Sequence, residues 1–188
     1  LNFVPLRNIF IYSNNPCKEL GLTSKVLLYS FITSHAIRID TRLYIYDAEN
    51  NIVYFFDGYE LRHLYAQEKS LQGFSKKIFC ENKLYPGVKI HSLAIIKTIL
   101  PIQDLYIIMR KTVSETRIHR TLNKIITSIG IIDTETLCLF NNYISGDIIS
   151  LSTDSKVIFI NQAHYILDNH VGGWIRRYGT IQRAERFK

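Results

Sequence analysis

YISGDIISLSTDSKVIFINQAHYILDNHVGGWIRRYGTI, residues 143–181, is the stretch on which the fold reading turns. Ser145-Gly146-Asp147 is a turn signal, and Ile148, Ile149 and Leu151 follow it. Thr153-Asp154-Ser155 is a second turn. Val157-Ile158-Phe159-Ile160 is a β-branched and aromatic run, which favours a strand. Asn161-Gln162-Ala163 interrupts it, His164-Tyr165-Ile166-Leu167 resumes it, and Gly172-Gly173 closes it. Short strands alternating with tight turns predict a small barrel or sandwich.

Upstream, Thr116 to Ile129 has the clearest helical pattern. Ile118, Leu122, Ile125, Ile126 and Ile129 form an apolar stripe, with Arg117, Arg120 and Lys124 on the other face and Gly130 as the stop. Ala36 to Phe56 reads as a hairpin around Asp47-Ala48-Glu49-Asn50-Asn51. Asn2 to Tyr12 is an extended segment, and Ser13-Asn14-Asn15-Pro16 a loop. Lys25 to Ile32 is an apolar run that periodicity leaves open between strand and helix. Tyr59 to Leu71 reads as a short helix. Lys76 to Cys80, Val88 to Ile96, Asp104 to Val113 and Thr136 to Phe140 read as strands, with a Tyr85-Pro86-Gly87 turn between the first two. These segments predict a mainly β (α+β) chain of small sandwich-barrel hybrid modules with one substantial helix. Residues 1–115 would form a strand-rich module containing hairpin 36–56. Residues 116–188 would form the helix and a barrel-like module.

Ser145-Gly146, Asp154-Ser155, Val157-Ile158, Tyr165-Ile166-Leu167, Gly173 and Tyr178-Gly179 occur in an order and spacing that resembles the β″ subunit of plastid and cyanobacterial DNA-directed RNA polymerase. Lys77-Ile78-Phe79, Tyr85-Pro86-Gly87 and Leu105 to Arg110 fit the strand-rich insertion of that family more loosely. The resemblance implies a non-catalytic structural part of a nucleotidyltransferase in transcription, located in a plastid. Its partners would be the β, β′ and α subunits and the rest of β″, with DNA and RNA met through the complex. The alternative is a free-standing basic β-domain that binds RNA or DNA as an accessory factor.

The chain of 188 residues is 47% hydrophobic, enough to bury a core, and carries a net charge of +7. A basic chain suits a polyanion or an acidic partner. The excess of isoleucine, asparagine and lysine is the signature of an AT-rich genome. The first residue is Leu1, which implies a processed or incomplete chain or an unusual start. Leu1 to Tyr12 has no signal-peptide pattern. No apolar run reaches membrane-spanning length, so no membrane partner is expected. Cys17, Cys80 and Cys138 are few and far apart, which argues against a disulfide framework and against a zinc site. His35, His63, His91 and His119 recur every 28 residues, but their flanks share nothing, so they are no repeat.

Phe55-Phe56-Asp57-Gly58 lacks the clustered carboxylates that hold metal ions around a transferring phosphoryl group. Neither a phosphate-binding glycine loop nor a serine elbow is present, and Cys80 ends an apolar run as core cysteines do. No catalytic, cofactor or metal residue is therefore expected. Instead, Trp174, Arg176, Arg177, Tyr178, Arg183 and Arg186 interleave cations with aromatic rings. That pattern suits phosphate backbones and stacked bases, or a subunit contact.

Overall fold

The structure, a computed structural model, describes residues 5–34, 36–62, 64–110 and 125–183. Its architecture begins with Ile9-Phe10-Ile11 in β1 (Leu6–Ser13). Side chains alternate across a strand. Ile9 and Ile11 therefore enter one core and Phe10 the other. The same holds in β4 (Thr41–Asp47), β7 (Leu105–Arg110) and β8 (Ser128–Ile132). Continuous apolar runs of this kind mark strands covered on both faces, the habit of parallel sheets.

Five strands do run parallel: β4, β1, β8, β7 and β9 (Asp147–Ser152). Antiparallel β5 (Ile52–Asp57) and β6 (Val88–Ser92) extend the β4 side. The full order is β6-β5-β4-β1-β8-β7-β9. One face carries α1 (Leu20–Phe31), α2 (Glu68–Phe79) and α5 (Lys156–His170). The other carries α3 (Ala94–Ile99) and α4 (Thr134–Phe140). A small second sheet, order β11-β10-β3-β2, is built from β2 (Ile32–Thr33), β3 (Ala36–Arg38), β10 (Trp174–Arg177) and β11 (Thr180–Arg183). Among the described residues no helix is long and apolar enough to cross a membrane.

The fold is mixed α/β, and the mainly β expectation is corrected on that point. The largest correction is residues 156–170, expected as strands and found as the longest described helix. Its buried residues are Phe159, Ile160, Ala163, His164, Leu167 and Asp168, which is a helical stripe. The Ser155 hydroxyl caps it by accepting from the Ile158 N–H at 3.3 Å. Asn161 and Gln162, read as a strand break, are its solvent side. Thr136 to Phe140 and, up to Phe79, Lys76 to Cys80 are likewise helical, and the helix expected over Tyr59 to Leu71 begins at Glu68. The ambiguous Lys25 to Ile32 run lies mostly in α1. The helix expected at Thr116 to Ile129 lies largely outside the described residues, and its last two positions open β8. The hairpin is found as β4 and β5, while Ala36–Arg38 belongs to the second sheet. Strands from both sides of residue 115 share the main sheet.

Cys17 and Cys80 form a disulfide, which corrects the expectation, drawn from their number and spacing, of no disulfide framework. Far apart in sequence, they meet because the loop after β1 packs against the end of α2, with Cα atoms 5.1 Å apart. Closing a 63-residue separation removes unfolded-state entropy worth about 4 kcal/mol in the chain-entropy picture. Reduction with dithiothreitol should therefore lower the thermal midpoint, and a Cys17→Ser, Cys80→Ser protein should reproduce that loss and no longer respond to reductant.

The two sheets are joined by buried charge. Arg7 has 0% exposure. It donates to Asp168 Oδ1, to the Gly172 carbonyl and to His164 Nδ1, each at 2.7 Å. Arg38 donates to both oxygens of Asp168 at 2.9 and 2.7 Å. Asp40 lies 3.8 Å from Arg7 Nε and accepts from the Trp174 N–H. Gly173 lets these groups close in, since a Cβ there would stand a tight 3.1 Å from both the Arg7 and Asp40 side chains. Arginine only donates, so His164 Nδ1 is the acceptor, and its Nε2 proton goes to the Ser30 carbonyl at 3.1 Å. The imidazole is thus neutral. Burial, then the Arg38 and Arg7 charges, hold its pKa well below the ordinary 6.5. The unfolded chain takes up that proton and the folded chain does not. Stability carried by His164 is therefore whole above about pH 6.5 and drains as pH falls towards the folded value. We expect the urea midpoint to drop below pH 6.5 with a limiting slope of about 1.4 kcal/mol per pH unit. His164→Gln should flatten that slope between pH 5 and 6.5.

Candidate functional site

In an open sheet, ligands bind beyond the carboxyl ends of the strands where neighbouring connections leave for opposite faces. Here β1 and β8 are adjacent and parallel. The chain leaves β1 for α1 on one face and leaves β8 for α4 on the other. The crevice between their ends is the switch point of this sheet.

Asp133 sits at its centre with 0% exposure. Its N–H donates to the Phe10 carbonyl at 3.2 Å. Its Oδ1 caps α4 by accepting from the Thr136 N–H at 3.0 Å. Its Oδ2 accepts from the Tyr12 N–H at 2.9 Å and pairs with Lys156 Nζ at 2.8 Å. Burial holds its pKa above the usual carboxylate value, against the pull of Lys156. Lys156 comes from the first position of α5. It also donates to the Tyr12 carbonyl, lies over the Tyr12 ring 5.6 Å from its centroid, and stands 3.5 Å from Glu135. The Thr134 hydroxyl donates to the Met109 carbonyl at 3.0 Å, and the Thr153 N–H to the Arg110 carbonyl at 3.1 Å. The ends of β1, β7, β8 and β9 are so held together by short polar connections. The Thr136 hydroxyl is buried and has no hydrogen-bond partner among the described residues.

A second feature lies at the opposite end of the parallel strands, where β3 and β10 pair. Arg62, Leu64, Tyr65, Arg176 and Tyr178 line a concavity there. Arg176 donates to the Tyr59 carbonyl at 2.6 Å and lies 5.6 Å from the centroid of the Tyr59 ring. Arg62 donates to the same carbonyl at 2.8 Å. Burial, then the charge of Arg62, pull the Arg176 pKa below its ordinary value. Among the described residues no carboxylate pairs with either guanidinium. A neighbouring concavity, lined by Gly21, Lys25, Tyr29, Gln72 and Val157, shares Ala66 with the first. The second concavity is also lined by Glu68 of α2, and Val157 is its contact with α5.

Of the residues expected at a contact, Arg176 and Tyr178 meet in the first concavity. Trp174 pairs with Arg183 across the β10–β11 ladder. Arg183 packs on Gly172, where its guanidinium lies 3.2 Å from the place a Cβ would take. Arg177 has a buried Nε without a partner among the described residues. Arg186 lies outside the described residues. Sequence reading missed Arg62, Asp133, Thr136 and Lys156. The visible signal was Asp133-Thr134-Glu135-Thr136 directly after an isoleucine-rich run, and Asp154-Ser155 shortly after another, the pattern of helix caps at strand ends.

No family model and no curated protein matches the chain. A solved structure does: Nep1 of Archaeoglobus fulgidus, bound to S-adenosylhomocysteine. The chain has the fold of Nep1. The superposition has a TM-score of 0.53 at 15% identity and covers 79% of this chain and 69% of that one. The resemblance to RNA polymerase β″ is overturned by this finding, because an α/β sheet shared with Nep1 is not a sandwich-barrel insertion. With it go the structural role in transcription, the nucleotidyltransferase assignment and the accessory β-domain alternative. The plastid placement loses the resemblance it rested on. The expectation of no cofactor is corrected as well, since Nep1 carries S-adenosylhomocysteine on this fold.

The Asp133–Lys156 pair is testable by itself. Lys156→Met leaves a buried carboxylate uncompensated and should cost about 3–5 kcal/mol of stability. Asp133→Asn, which keeps the cap on α4, should recover most of that loss in the double variant. Additive losses in a double-mutant cycle by urea unfolding would show that the two residues do not interact.

Proposed function

We propose that this chain is a methyltransferase that takes its methyl group from S-adenosylmethionine and places it on RNA. The observation that carries the reading is the fold shared with S-adenosylhomocysteine-bound Nep1, together with a switch-point crevice furnished with polar groups.

The residues of that crevice fit the donor. Thr136 offers a buried hydroxyl without a partner among the described residues. Asp133 and Glu135 against Lys156 leave one negative charge, which suits a cationic sulfonium. Bound there, S-adenosylmethionine supplies an electrophilic methyl group. Asp133 and Lys156 hold the ends of β1, β8 and α5 in register around the crevice.

RNA as the acceptor is supported by charge and by shape. The net charge is +7. Guanidiniums without a carboxylate partner among the described residues, with tyrosine rings beside them in one concavity, suit an extended polyanion.

Isothermal titration of S-adenosylhomocysteine tests the donor site. Binding should raise the melting temperature, by the equivalent of about 2.7 kcal/mol at a hundredfold excess over Kd. Thr136→Val should weaken that binding without lowering the stability of the free protein. Tritium transfer from labelled S-adenosylmethionine to total RNA should depend on the wild-type concavity and fall in Arg62→Ala, Arg176→Ala. No heat, no thermal shift and no transfer would overturn the proposal.

A further inference from the structure

The β10–β11 hairpin turns on two residues, Tyr178 and Gly179, with φ of +50° and +81°. Two successive positive φ values favour Asn-Gly or Gly-Gly, because only those residues take this conformation without steric cost. A tyrosine at the first position is strained. It gains nothing from packing in return, for Tyr178 is 91% exposed. Residues held in such conformations cluster at functional sites.

The surroundings say what the ring is for. Tyr178 lines the concavity that contains Arg62 and Arg176. Both arginines spend donors on the Tyr59 carbonyl, and no described carboxylate neutralises them. A rigid two-residue turn thus presents an aromatic face beside two fixed cations. Arg176 is held further by the ladder, where it pairs with Ile181 of β11 and Ile37 of β3.

We propose that Tyr178 is a stacking platform for an unpaired nucleobase of the RNA, with Arg62 and Arg176 taking the phosphates that flank that base. This rests on the reading of RNA as the acceptor and adds to it that the engaged segment is single-stranded. A duplex keeps its bases stacked inside and offers no free face to the ring. The hairpin anchors the strand at the opposite end of the parallel strands from the methyl donor. It therefore contributes binding and positioning, and takes no part in the chemistry.

The test uses the full chain and a fluorescein-labelled single-stranded RNA of twelve nucleotides, with and without a central 2-aminopurine, and the corresponding duplex. Tyr178→Asn restores a residue that suits the turn, so its melting temperature should rise. Its affinity for the single strand should nevertheless fall about tenfold, within the range that loss of one base–aromatic stack produces. Tyr178→Phe should bind within about twofold of wild type, since it keeps the stacking face. The quenching of 2-aminopurine should survive in the Phe variant and vanish in the Asn variant. Equal affinity of wild type and the Asn variant for the single strand would overturn the proposal while leaving RNA as the acceptor. So would duplex binding as tight as single-strand binding and equally sensitive to the substitution. Absence of any RNA binding by the wild type, with S-adenosylhomocysteine still bound, would remove the RNA reading beneath it.

Discussion

A guanidinium shut away from water at the start of the central strand sets the terms for the rest of this fold. Arg7 must be matched, because an unpaired buried charge is far too costly to persist. Asp168 and Asp40 provide the matching charge, Arg38 shares Asp168, and His164 stays neutral between them. Apolar packing in place of such pairs is often no less stable, but removing one partner alone is strongly destabilising. Their satisfaction here requires β1, β3, α5 and the start of β10 to arrive together. The small second sheet is therefore placed by electrostatics as much as by its own ladder. Arg176 and Tyr178 inherit their position from it.

Helix α5 connects the two ends of the molecule. Asp168 and His164 near its end belong to the Arg7 network, while Lys156 at its start pairs with Asp133 in the switch-point crevice. Fifteen residues of helix are about 22 Å of rigid rod. Each end is fixed by a charged contact to the same strand, β1, or to its neighbour. The crevice at one end of the sheet and the concavity of Arg62, Arg176 and Tyr178 at the other are so tied to one helix and one strand.

Parts of this were legible in the amino acids and parts were not. The β4–β5 hairpin showed itself through Asp and Asn at the loop ends. The alternation of cations and rings singled out Arg176 and Tyr178, which the structure brings into one concavity. Residues 156–170 did not, because Val157, Ile158, Phe159 and Ile160 satisfy strand propensity locally while their burial follows a helical stripe. Tertiary context decided between two readings that a short apolar run leaves equal. The parallel sheet was hidden for a related reason. Strands buried on both faces lose the alternation that marks a half-exposed strand. Asp133 and Lys156 were invisible as a pair, since their meeting depends on strand order and not on spacing.

The order of strands in the main sheet has a consequence for how the chain is made. β1 lies at the middle of the sheet, yet one of its two partners is β8, which begins at Ser128. While the ribosome works through the intervening residues, β1 can pair with β4 but leaves its other edge open. At ordinary synthesis rates that exposure lasts on the order of ten seconds. Ile9, Phe10 and Ile11 stand along that edge, in the sort of apolar strand that recruits other chains. The nascent protein is thus most vulnerable in mid-translation, when a holding chaperone would have the greatest effect on yield. Such non-local pairing also places it among slow folders for its size.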